Sequence, residues 1–202
     1  MPILNDSLTW AALPDNGGQT RAQIHSAFVG GVEKILLPVD FALCKVHNYP
    51  TLSGNMAPSA VISGWWTALN RFRDDTGLHD RVKLAGVLGV SVRELSRVFL
   101  AVRENWNSFK YLAMITLSQP VYAFYGGVAA QARIDKGQAS LVQSGEDRGA
   151  TAKLPGRGKQ IYIPYLTVGH TKHHKVIEIA GIERAAGMGD KALQEILKFP
   201  PA

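Results

Sequence analysis

The apolar pattern of the chain changes period near residue 113, and this change constrains the fold more than any other feature. Over residues 60–112 apolar side chains recur at three- and four-residue spacing, as in Trp65, Trp66, Leu69 and Phe72, which predicts helices. An earlier stretch, 20–34, carries Ala22, Ile24, Ala27, Phe28 and Val32 near one helical face and predicts a short helix, which Gly30-Gly31 weakens. Residues 115–125 instead alternate and are rich in aromatic and β-branched types, as strands are; Pro120 makes this an edge strand or splits it in two. Residues 160–164 read as a second strand, 176–180 as a third, and 190–199 as a final helix capped by Asp190. Helices followed by antiparallel strands form the α+β pattern. The expected fold is therefore α+β, with a helical N-terminal half and a small antiparallel sheet in the C-terminal half. Its parts are an N-terminal arm at 1–20, a helical half at 21–113 and a β half with a terminal helix at 114–202, joined in one compact unit.

At 202 residues, 46% of them apolar, the chain has enough apolar surface for a core of its own. Its apolar runs are far shorter than the roughly 20 residues that cross a bilayer, so no membrane partner is expected. The first residues, Met1 to Asp6, lack a basic region followed by an apolar one, which predicts a cytoplasmic protein and leaves signal-independent export open. Cys44 is the single cysteine, so neither an internal disulfide nor a cysteine-based zinc site is available. The formal charge of +6 favours polyanionic partners.

Residues 81–99 fit two helices meeting at a tight turn. Leu84, Ala85 and Leu88 give the first an inner face, Gly89 permits a left-handed turn, Val90 fills the angle, and Leu95 and Val98 seat the second. Through Leu84-Ala85, Leu88-Gly89-Val90-Ser91 and Leu95-Ser96-Arg97-Val98-Phe99, with Ser108 to Leu112 beyond, residues 81–112 resemble the helix-turn-helix of AraC-type transcription regulators. The resemblance implies DNA binding, with Ser91, Val92, Arg93, Ser96 and Arg97 turned outward to bases or phosphates. A helical hairpin packed in the core selects the same residues.

Residues 153–175 hold Lys153, Arg157, Lys159, Lys172 and Lys175 with three histidines and no acid, and interleave Tyr162 and Tyr165. Cations that follow phosphates, beside aromatics that stack on bases, are the chemistry of nucleic-acid binding. His170, His173 and His174 have no ligand spacing, and no metal is expected.

Residues 158–164 resemble the third motif of ADP-ribosyltransferase toxins, which implies NAD as cofactor and a catalytic role at Gln160, where that family has Glu; Arg133 would grip the dinucleotide. Glu146-Asp147, adjacent acids in a polar loop, read as solvated. Three functions follow: a nucleic-acid-binding protein, DNA more than RNA, with no catalytic residue and no cofactor; an NAD-dependent transferase or effector; and a module for a protein partner. The oligomeric state has no signature in the sequence.

Overall fold

The computed structural model describes residues 3–16, 18–103, 107–132 and 153–199. Its strands are β1 (Phe28–Leu37), β2 (Ala42–His47), β3 (Trp65–Ala68), β4 (Tyr111–Leu117), β5 (Val121–Val128), β6 (Gln131–Ala132), β7 (Lys153–Leu154), β8 (Lys159–Tyr162) and β9 (Thr171–Glu178). The helices are α1 (Arg21–Ser26), α2 (Gly77–Leu88), α3 (Val92–Leu100), α4 (Ile179–Gly187) and α5 (Asp190–Leu197). Seven strands form one antiparallel sheet in the order β1-β5-β8-β3-β2-β4-β9, and β6 and β7 make a separate ribbon. No helix among the described residues is long and apolar enough to cross a membrane.

The expectation of a helical N-terminal half is wrong. Only Arg21–Ser26 of the 20–34 stretch is helical; β1 follows at once, and Trp65-Trp66 lie in β3. Nor is the sheet confined to the C-terminal half, because β1 pairs with β5, β2 with β4 and β3 with β8. The physical cause is burial on both sheet faces. Trp66 joins one core cluster and Trp65 borders another, so β3 shows no polar-apolar alternation and its neighbours Leu69 and Phe72 supply a false helical period. In β1 the register shifts between Val29 and Glu33, and the bulge breaks alternation around Gly30-Gly31. Pro120 falls between β4 and β5.

The sheet curls so that its two halves share a core. Leu43, Ala113 and Ile115 of β2 and β4 pack in one cluster with Ile35, Leu37, Ala123 and Ile161 of β1, β5 and β8. On the outer side of β2 and β4, Cys44, Val46, Leu112 and Met114 meet Val82, Ala85, Leu95, Ile182 and Leu193 of the helices. On the outer side of β5 and β8, Phe124 and Tyr162 are covered by Leu13, Ile24 and Phe28. The N-terminal stretch is docked: buried Asn5 donates from Nδ2 to Tyr122 O at 3.1 Å and Pro164 O at 2.8 Å.

Gly89 closes α2 with φ 66° and a Cβ there would meet nothing within 4 Å, whereas Gly77 opens α2 with φ 77° and its Cβ would fall 2.6 Å from Arg71 N. Gly89→Ala is expected to cost about 1 kcal/mol, the left-handed penalty alone. Gly77→Ala adds a backbone clash and should cost about 3 kcal/mol, read as the shift in a urea denaturation midpoint.

Candidate functional site

The sheet opens between β2 and β3. These strands pair through Leu43–Ala68 and Cys44–Thr67; beyond that, Trp66 and Trp65 pair with Ile161 and Tyr162 of β8, while Lys45 and Val46 pair with Ala113 and Leu112 of β4. A cleft of about 540 Å³ lies at this opening. Lys45 and Val46 form one wall, Ser63, Trp65, Trp66 and Thr67 another, and Gln23, Ser26 and Ala27 at the end of α1 a third. Leu100 to Arg103 at the end of α3 and beyond it, Val128-Ala129 at the end of β5, Gln131 and Gln160 close it.

Lys45 breaks the pattern of its strand. Leu43 faces the shared core, while Cys44 and Val46 face the helices, so alternation turns Lys45 and His47 inward. Lys45 Nζ lies 5.5 Å from the Trp66 ring centroid, a distance at which a ring face attracts a cation. Burial lowers its pKa from 10.5 to about 8. His47 Nε2 lies 2.7 Å from Thr51 O, and burial lowers its pKa as well.

The carboxamides of the lining are oriented by partners that admit one reading. Gln19 Oε1 accepts from Trp65 Nε1 at 2.6 Å, Gln23 Oε1 from Thr20 N at 2.8 Å, and Gln131 Oε1 from Arg103 Nη2 at 3.3 Å. Each commits its acceptor and keeps an NH2 group for a further partner. Asn107 uses both ends, donating to Val46 O and accepting from Phe109 N. Gln160 is reversed: its Nε2 donates to Ala27 O at 2.6 Å and its Oε1 is the group left over. Lys45 and Arg103 are the cations, and no acid is among the described lining residues.

Behind the cleft, Thr67 Oγ1 donates to Cys44 O at 3.1 Å and accepts from Arg81 Nη2 at 3.3 Å, and Arg81 stands 3.7 Å from Asp75. Burial raises the Asp75 carboxyl and pushes up the buried Cys44 thiol, which disfavours the thiolate a nucleophile needs.

The residues named from the sequence fall in several places. Ser91 caps α3, accepting from Glu94 N, and Arg93 is exposed. Val92 and Ser96 are buried, and so is Arg97, which donates to Val102 O at 3.0 Å and Asn107 O at 3.1 Å with its guanidinium over the Phe109 ring. Leu95 is buried and Val98 half-buried, but Leu84 and Leu88, expected inside, are 37% and 57% exposed. The turn positions these two leucines away from the sheet, and the inner face of α2 is Leu78, Val82 and Ala85.

The basic segment does not form one surface, because β3, β2 and β4 separate β8 from β9. Lys153 and Arg157 are exposed, and β7 packs against α3. Lys159 pairs with Asp74 at 2.6 Å, Lys172 pairs with Asp40, and Lys175 donates to Ile196 O and Lys198 O at the end of α5. His170 Nδ1 lies 2.8 Å from Thr167 Oγ1, His174 Nδ1 lies 3.3 Å from Thr171 Oγ1, and His173 lies near Phe199. Arg133, Glu146 and Asp147 lie outside the described residues. Of the residues singled out beforehand, Gln160 and the pair Trp65-Trp66 border the cleft. Lys45, Arg103 and the glutamines were missed; the available signal was a lysine interrupting the apolar run from Phe41 to Val46. Comparison of the chain with protein-family models, with curated proteins and with solved structures finds no match.

Proposed function

We propose that the cleft between β2 and β3 binds a phosphate-bearing ligand of the nucleotide class. The observation that carries this reading is the imbalance of the lining: the NH2 groups of Gln19, Gln23 and Gln131 line the cleft together with Lys45, and no acid is among its described lining residues. A site rich in donors and poor in acceptors is matched by phosphate oxygens, which only accept. The apolar part of such a ligand has Trp65, Leu100, Val102 and Val128 to pack on, and Gln160 Oε1 is an acceptor for a base amino group. The volume suits one nucleotide, since ligand pockets run to roughly 300–1,000 Å³.

Two sources offer this chemistry. A free nucleotide fits the cleft whole, and a dinucleotide such as NAD would place one of its two nucleotides there. A nucleic-acid strand would place one nucleotide there, with exposed Arg93, Lys153 and Arg157 on α3 and beside it as further phosphate contacts. The reading concerns binding; Gln160 supplies no carboxylate for transfer chemistry, and its NH2 group is committed to Ala27.

Calorimetric titration with ADP, NAD and short single-stranded DNA and RNA tests it. Saturable one-to-one binding of ADP or NAD is expected, tightest below pH 8 and weaker above it, because the anion meets Lys45 in its protonated form. Tighter binding of the oligonucleotides, lost when Arg93, Lys153 and Arg157 are replaced together, assigns the strand as the source. Absence of saturable binding by all four ligands overturns the reading.

A further inference from the structure

We propose that Gln160 makes the cleft selective for nucleotides whose base carries an exocyclic amino group, as adenine and cytosine do, over bases that carry only oxo groups. The inference rests on the binding reading above and adds to it the chemical class of the base.

Strand alternation puts Gln160 on the side of the sheet where the cleft lies. In β8 Ile161 faces the shared core and Tyr162 the outer side, so Gln160 faces outward with Tyr162. The hydrogen bond from its Nε2 to Ala27 O, in the wall formed by the end of α1, fixes its carboxamide on that side. Trp65 borders the same outer cluster and pairs with Tyr162, which leaves it one diagonal step from Gln160 on the same face of neighbouring strands. A ring packed against Trp65 has its edge within reach of Gln160.

The carboxamide has one permitted orientation. Ala27 O already accepts from Ala129 N at 2.8 Å and has no proton to give, so a turned amide would set Oε1 against a carbonyl oxygen at 2.6 Å. Nε2 therefore stays on Ala27, and among the described residues no donor occupies Oε1. Gln19, Gln23 and Gln131 commit their oxygens and Asn107 both of its ends, so Gln160 is the side-chain amide of the described lining that offers an acceptor. The residue is 9% exposed, and an acceptor held in so desolvated a place is costly to leave unpaired. A hydroxyl could rotate and donate to an oxo group. A pinned carboxamide oxygen cannot. An amino group on the base donates to Oε1, whereas an oxo group faces it oxygen to oxygen and leaves both acceptors unpaired.

Calorimetric titration with ADP against inosine diphosphate, and with CDP against UDP, tests the proposal, because each pair exchanges an amino for an oxo group at one ring position. ADP and CDP are expected to bind about tenfold tighter than their oxo counterparts. In Gln160→Leu, whose fold is checked by circular dichroism, the difference within each pair should vanish. Gln160→Asn, one methylene shorter, keeps a polar group at the position but cannot reach both Ala27 O and a ligand, and should lose the difference as well. Equal affinities within each pair in the wild type, or a difference that survives in the folded variants, overturn the proposal and leave the cleft as a phosphate site. Absence of saturable binding by all four nucleotides removes the binding reading and this inference together.

Discussion

Lys45→Met is expected to stabilise the unliganded protein at pH 7 while abolishing phosphate-ligand binding. Burial takes the amine from 10.5 to about 8, and at about 1.4 kcal/mol for each tenfold change in proton affinity the charged form costs on the order of 3 kcal/mol in the folded state. Below pH 8 the folded and unfolded chains both carry the proton, so the whole cost is present. Between pH 8 and 10.5 the unfolded chain binds more protons than the folded one, and wild-type stability rises with pH relative to the Met variant. Urea denaturation of both proteins should therefore show a gap of about 3 kcal/mol at pH 7 that closes toward pH 10.5. A Met variant less stable than wild type at pH 7 would mean that Lys45 serves the fold and not a ligand. Binding sites commonly keep residues that the fold alone would reject.

Arg97→Ala should act in the opposite sense. The guanidinium ties the end of α3 to Val102 O and Asn107 O and covers Phe109, so it fixes the segment that closes one side of the cleft. Truncation leaves two carbonyls without that donor, and hydrogen bonds from charged groups contribute about 1.5–3 kcal/mol each, so a loss of about 3 kcal/mol is expected. Arg97→Lys should recover only part of it, because an ammonium lacks the planar fork that reaches both carbonyls. Thermal unfolding measures both variants. A base-reading arginine would instead leave the melting temperature unchanged and alter DNA preference alone.

These two residues show where the sequence was legible and where it was not. Local signals served well: the alternation and Pro120 marked the region of β4 and β5, residues 160–164 and 176–180 overlap β8 and β9, and Gly89 sits between two helices. Signals that depend on pairing partners did not serve. Trp65 and Trp66 look helical until Tyr162 and Ile161, almost a hundred positions away, are known to lie beside them. Arg97 looked like a surface residue because its partners, two backbone carbonyls, leave no trace in residue types. The cleft drew its walls from segments scattered between Gln19 and Gln160, and only Lys45 in an apolar strand carried a local sign of it.

The central claim is that a ligand anion meets the Lys45 ammonium in the cleft, and proton uptake on binding tests it most directly. NAD carries a diphosphate that stays ionised across the range, and its titration at pH 8 in two buffers of different ionisation enthalpy gives the protons taken up per ligand bound. Because free Lys45 is half protonated near pH 8 and an anion beside it raises its proton affinity, about half a proton should enter with each NAD. The uptake should vanish in Lys45→Arg, whose charge does not titrate in this range. NAD binding with no proton uptake, or with the same uptake in both proteins, would contradict the account.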